Sequence, residues 1–310
     1  MRNFGLVSKK INPQEWVLGA NSPILPEIIC EDGDWTKYIP VFEKQKYGSL
    51  ETMSCVTQSA LNVLEILVKK IYNIDINFSD RGLAKMSNTN KSGNSLQNVA
   101  ETIRKMGVLL EEDWAFNNND VLTWDNYYRN IPNELIDKAF GFNKKYNFSH
   151  DWIYGMDMRE ALKYSPLQVT VNAWYKKDGI YYNNVNYSNH AVVLVGYDGD
   201  CPLIFDSYEP SIKKLKSDYI LGDYAKRFNI NIINNMEEYI IKNNNLYQLV
   251  SGNGGFAVGL DGRLIIDDLD KLLATFISRN NGDIENKTVK VRQDFWDKFD
   301  KVNLKGEKVK

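Results

Sequence analysis

The stretch "ETMSCVTQSALNVLE" (Glu51–Glu65) decides how this chain is read. It starts polar, passes through one cysteine and turns into an amphipathic helix. Over residues 56–72, "VTQSALNVLEILVKKIY", the side chains of Ala60, Leu61, Leu64, Leu67, Val68 and Ile71 fall on one stripe at helical spacing, with no Gly or Pro to interrupt it. Cys55 therefore stands where a helix begins. Unpaired N–H groups and roughly half a positive charge gather at that end. A thiol placed there has a lowered pKa and more thiolate at neutral pH. An imidazole able to take the proton would complete an activated nucleophile.

Only His150 and His190 offer an imidazole. His190 opens "HAVVLVGYD", a near-continuous apolar run that reads as a strand, and follows the loop "YNNVNYSN". His150, in "FSHDW", reads as an ordinary surface or capping residue. Asp206, in "LIFDSYEP", ends the next predicted strand 16 residues after His190. In an antiparallel hairpin the two positions return side by side, and a base needs such an orienting group on its other nitrogen.

With those residues in place, the chain resembles the papain-like cysteine peptidases. "SCVTQSALNVLE" looks like their nucleophile helix, matching at Ser54, Cys55, Ser59, Ala60 and Glu65. "NHAVVLVGYD", with Asn189 before His190, resembles their histidine strand, and "FDSYEP" their Asn-Ser-Trp strand. Cys55 and His190 are 135 residues apart, within the roughly 130–150 of that family. The resemblance covers about residues 40–210. It implies a two-lobe α+β fold, helical on the left and β-rich on the right, with Cys55, His190 and Asp206 facing each other across a cleft.

The departures define further expectations. The resemblance puts Asp206 where the family has Asn, and a carboxylate can accept the same N–H bond. It puts Tyr208 where a Trp shields that bond. Gly93 and Asn94 stand at the Gly-Gly subsite loop, which implies a narrower wall there. The family's oxyanion Gln lies six residues before its cysteine, and here that position is Ser49. Gln45, ten residues upstream, is preferred, because a side-chain amide donates strongly to a developing oxyanion and a four-residue insertion would let it reach. Gly93, Asn94, Asn189 and Tyr208 are the expected substrate-binding positions. The implied reaction is hydrolysis of peptide bonds through a thioester, without cofactor or metal. A papain-like scaffold used for binding, for example on a virion, and a cell-wall peptide amidohydrolase are the alternatives.

Composition narrows the setting. The chain has 310 residues, is 43% hydrophobic and carries a net charge of -2. No basic block supports nucleic-acid binding, and no apolar run reaches membrane-spanning length. "MRNFGLVSKKINPQEW" lacks the apolar core of a signal peptide, so a cytoplasmic or virion-associated location is expected. Three cysteines, Cys30, Cys55 and Cys201, form no disulfide framework, which fits a reducing compartment. The domains are read as an N-terminal arm over 1–40, which either leaves the cleft open or lies across it, a peptidase domain over 41–250, and an appendage over 251–310.

Helices are expected over 78–87, 95–106 and within 152–166, and strands over 166–174, 190–198 and 202–209, with edge strands within 212–221 and 244–250. The appendage reads as a hairpin over 254–267, turning at Asp261-Gly262, a helix over 267–280 and a last helix over 291–302. Asp267, Asp268 and Asp270 read as helix-start acids rather than metal ligands. Cys30 and Cys201 read as ordinary cysteines. Trp174, Tyr175, Tyr181 and Tyr182 read as one packed hairpin face, with a binding groove as the alternative.

Overall fold

The computed structural model describes residues 4–7, 27–154, 156–184, 186–222 and 225–232, and the backbone of five short strands beyond them. The chain divides into two compact units, Met1–Ile233 and Asn234–Lys310.

The first unit is α+β. A hairpin of β1 (Lys46–Tyr47) and β2 (Leu50–Glu51) leads into α1 (Cys55–Tyr72). Then come α2 (Asp80–Met86), α3 (Leu96–Met106), α4 (Trp124–Tyr127) and α5 (Asn133–Lys145). Ser79 and Ser95 start α2 and α3 by accepting from the N–H groups of Gly82 and Asn98, the capping chemistry expected of serine there. Gly107, at φ +76°, ends α3. From Tyr146 the chain turns to strand: β3 (Tyr146–Ile153), then after the single turn α6 (Met158–Ala161), β4 (Leu167–Val171), β5 (Tyr175–Lys177), β6 (Ile180–Tyr182), β7 (His190–Asp198), β8 (Cys201–Phe205), β9 (Ile212–Lys214) and β10 (Ala225–Ile232).

Six strands form one antiparallel sheet in the order β3-β10-β4-β7-β8-β9. The strand β7 lies inside it, which explains its unbroken apolar run: Ala191 through Val195 are buried on both faces. The helix α1 packs lengthwise on β7 and continues onto β4 and β10. Every residue from Cys55 to Val68 is buried. A helix hidden all round exceeds the one-sided stripe of its sequence, because α2, α3 and the segment Thr36–Tyr38 pack on it as well as the sheet. Glu65 shows how: its carboxylate accepts the Phe78 N–H at 2.8 Å, fixing the segment that enters α2.

Three expectations change in this unit. The helix within 152–166 is only four residues long, because Trp152 and Ile153 belong to β3. His150 is no surface residue. It is 7% exposed on β3, between the Glu101 carboxylate (2.9 Å) and the Lys226 ammonium (3.0 Å). Third, the aromatic group divides. Tyr175 and Tyr182 stack at 5.2 Å on the outer hairpin, whereas Trp174 and Tyr181 turn inward.

The second unit contains a five-stranded sheet, β14-β11-β12-β13-β15, built from β11 (Leu246–Leu249), β12 (Gly255–Leu260), β13 (Arg263–Ile265), β14 (Thr288–Val291) and β15 (Lys301–Val302). Leu260 pairs with Arg263, so the Asp261-Gly262 pair connects a hairpin. The strand at 246–249, expected as an edge, is interior: β12 pairs on one side and β14 on the other. The stretch 291–302 is strand at both of its ends. The helix expected over 267–280, with its three aspartates, lies outside the described residues, as do residues 292–300.

Candidate active site

The site forms where α1 begins, beside the ends of β7 and β8. Cys55 is the first residue of α1 and fully buried. The backbone N–H groups of Ala191, the residue after His190, and of Val56 favour its thiolate form. Burial nevertheless dominates and pushes the thiol pKa well up, with the Asp206 and Glu51 carboxylates adding to the rise. In this closed arrangement the thiol stays protonated.

His190 is the first residue of β7 and Asp206 follows the last of β8. The register pairs Val193 with Phe205, which leaves both residues at the same end of the hairpin. His190 Nε2 lies 2.7 Å from Asp206 Oδ1, and both side chains are buried. His190 Nδ1 is buried without a hydrogen-bond partner among the described residues. The ring packs against Trp174, Tyr208 and Phe4, with centroids at 5.7, 5.6 and 5.2 Å. Burial pushes the Asp206 carboxyl up, but His190 and then Lys213 outweigh it and hold the group below the usual carboxylate range.

The β1–β2 hairpin sets where Gln45 and Ser49 lie. It loops out the residues between Gln45 and Thr52, whose N–H donates to the Gln45 carbonyl at 3.2 Å. Gln45 is thereby buried beside the site, and Ser49 is left exposed at the hairpin tip. The Gln45 amide is held at both ends. Ser207 Oγ donates to its Oε1 at 2.8 Å, and its Nε2 donates to Glu51 Oε1 at 2.7 Å. Glu51 Oε2 in turn accepts the Tyr208 hydroxyl at 2.7 Å.

The chain's own residues 4–7 lie across this groove. Gln45 Nε2 donates to the Phe4 carbonyl at 3.0 Å. The Phe4 N–H donates to the Asn189 carbonyl at 3.1 Å, the Asn94 N–H to the Gly5 carbonyl at 2.8 Å, and the Val7 N–H to the Asn94 carbonyl at 2.7 Å. The approach is so close that a Cβ on Gly93 would overlap the Gly5 carbonyl. Asn94 therefore offers its backbone to the groove. Its side chain turns inward to Ser87 and Thr89 at 3.0 and 2.9 Å, so it does not narrow the wall. The Asn189 side chain likewise turns away, accepting the Ala173 N–H at 2.9 Å.

Beside the strap lies a cavity of about 260 Å³ lined by Phe4, Trp174, Tyr181, His190, Tyr208 and Lys213, among others. Phe4, Glu51 and Lys213 were not legible as site residues, and Trp174 was so only in the alternative reading of its aromatic group as a binding groove. Lys213 is the one with a sequence-level signal, since a buried carboxylate in place of an amide calls for a cation. Among the described residues, no group of three His, Cys, Asp or Glu side chains is arranged to hold a metal.

No family model and no curated protein matches the sequence. Solved structures match the fold. Xylellain, a cysteine protease from Xylella fastidiosa, aligns with a TM-score of 0.53 at 13% identity, covering 73% of this chain and 97% of that one. Digestive procathepsin L 3 of Tenebrio molitor gives 0.47 at 13% identity, with 69% and 72% covered. The ragweed pollen cysteine protease Amb a 11, in its proform, gives 0.48 at 16% identity, with 68% and 69% covered. The chain thus has the papain-like cysteine protease fold, in a divergent form. At these identities the likeness is one of fold.

Proposed function

We propose that this chain is a thiol hydrolase of peptide bonds, with Cys55 as nucleophile, His190 as its acid–base partner, Asp206 orienting the imidazole and Gln45 as oxyanion donor. One observation carries the reading: the Gln45 amide, beside the His190–Asp206 pair, already donates to a main-chain carbonyl, that of Phe4. The main-chain groups of Asn94 and Asn189 supply the remaining backbone pairing.

The chemistry follows from these groups. The Cys55 thiolate attacks the substrate carbonyl carbon while His190 holds the proton as imidazolium. The oxyanion sits between Gln45 Nε2 and the Cys55 N–H. The C–N bond breaks as His190 protonates the leaving amine, giving a thioester. Water, deprotonated by His190, attacks the thioester and releases a carboxylic acid and the thiol. Substrate enters only after residues 4–7 leave, and the same departure exposes Cys55 to solvent.

A second reading, a peptide-binding scaffold without turnover, draws on the burial that keeps Cys55 protonated. Casein and cell-wall peptide digests separate the readings, comparing the wild type, a strap-releasing variant and Cys55→Ala. Hydrolysis lost in Cys55→Ala with the fold intact supports the thiol hydrolase, and the digested material names the amide class. Binding without cleavage, even after strap release, refutes it in favour of the scaffold.

A further inference from the structure

Asp206 places a formal negative charge where a neutral amide would serve to orient the imidazole. The charge is buried, and a buried carboxylate acts on the whole site. It favours the imidazolium, and it opposes the thiolate at Cys55, whose pKa it helps to raise. A thiol–imidazole pair poised near neutrality therefore needs that charge cancelled.

Lys213 supplies the cancelling charge. Lys213, on β9, is 2% exposed, and its ammonium lies 2.7 Å from Asp206 Oδ2, the oxygen that His190 does not use. The ammonium also donates to the carbonyls of Tyr208 and Pro210, each at 2.5 Å. The rings of Trp174 and Tyr181 lie 5.4 and 5.6 Å from it. Burial lowers the Lys213 pKa and the Asp206 carboxylate opposes that, with three acceptors and two ring faces around the ammonium to compensate its charge.

We propose that Lys213 is a positioning residue: it neutralises Asp206 and fixes its second oxygen, so that the carboxylate orients His190 as an amide would, without shifting the charge balance between His190 and Cys55. Other charged or titratable groups facing these residues are Glu51 and Tyr128 toward Cys55, Tyr208 toward His190, Tyr219 toward Asp206, and Tyr181, Lys176 and Glu209 toward Lys213. Among these, only Lys213 reaches the free oxygen of Asp206.

The proposal rests on the thiol–imidazole reading above, and its test keeps the two apart. His190 and His150 are the only histidines, so the imidazole titrations of the full chain separate cleanly by nuclear magnetic resonance. Removing the ammonium in Lys213→Met leaves Asp206 uncompensated, and the His190 titration midpoint should move to higher pH by about one unit or more, as expected when a like charge held on the same carboxylate is lost. Asp206→Asn alone leaves the ammonium uncompensated and lowers it. Asp206→Asn with Lys213→Met removes both charges and returns the titration from the Lys213→Met position toward that of the wild type. Lys213→Arg stays near wild type.

A His190 titration unmoved by Lys213→Met overturns the proposal. So does a double variant that fails to return toward wild type. If Lys213→Met does not fold, identical His190 titrations in Asp206→Asn and the double variant overturn it equally. Cys55→Ala tests the underlying reading separately. A His190 titration indifferent to the thiol removes the thiol–imidazole pair and leaves the Lys213–Asp206 coupling to its own variants.

Discussion

Replacing Gly5 by alanine should release the strap and open the site. Gly5 sits at φ +111°, a conformation an L side chain rarely adopts, and a Cβ there would come within 2.5 Å of the Met53 carbonyl carbon. The bound form of residues 4–7 cannot absorb that clash. What it must outweigh is modest. The four hydrogen bonds described above are worth about 4 kcal/mol together at about 1 kcal/mol each. Burying Leu6 and part of Phe4 adds about 3 kcal/mol, and the contacts of the Phe4 ring about 1 kcal/mol. Ordering four residues costs about 6 kcal/mol. The remainder, about 2 kcal/mol, favours the closed strap by about thirtyfold. Gly5→Ala should therefore raise iodoacetamide labelling of Cys55 at pH 7 by about that factor. Peptide mass spectrometry reads it, with Cys30 and Cys201 as internal references. Cys30 suits that use because burial, with Asp32 beside it, pushes its thiol up to about 11. Labelling of Cys55 within about twofold of wild type would refute the reasoning: the strap would not limit access to the thiol.

In the strap-released background, Gln45→Ala should lower peptide turnover by about 10²–10³, whereas Ser49→Ala, at the exposed hairpin tip, should leave it unchanged; equal effects would dismiss Gln45 as the oxyanion donor. Asp206→Ala leaves the Lys213 ammonium buried and unpaired and should cost about 3–5 kcal/mol in urea unfolding; a loss below about 1 kcal/mol would show that the ion pair is not formed. His150 supplies a pH signature. Burial first, then the Lys226 charge, lowers its pKa to about 4. The unfolded chain binds the His150 proton below about 6.5 and the folded chain does not, so this contribution is complete above about pH 6.5 and is lost as pH falls toward 4. His150→Gln should flatten the stability difference between pH 6.5 and 4.5, and an unchanged slope would assign that pH dependence elsewhere.

Much of the fold was legible in local sequence. The stripe of α1, the serine caps of α2 and α3, the apolar run of β7 and the hairpin pairing of β12 with β13 are each fixed by neighbours a few residues away. Other elements were hidden because their signals conflict. Residues 133–145 form α5 although Gly141 between two phenylalanines interrupts the pattern. The strand β3 mixes polar and aromatic residues because it lies at the edge of its sheet. The strand at 246–249 gave no hint of its partners, since pairing with β14 joins segments about forty residues apart.

The site divides along the same line. By itself the sequence determined the cysteine at a helix start, the histidine opening an apolar strand and the aspartate ending the next, because helix periodicity and hairpin return are local geometry. Only the tertiary structure decided what those groups experience. It put Gln45 rather than Ser49 beside them, by looping out a hairpin. It turned the Asn94 side chain into the protein and gave the groove its backbone. It laid Phe4 on the His190 ring and brought Lys213 to the second oxygen of Asp206. Hydrogen bonds and charges act over a few ångströms in space whatever the separation along the chain, so the partners that set reactivity become visible only once the chain is folded.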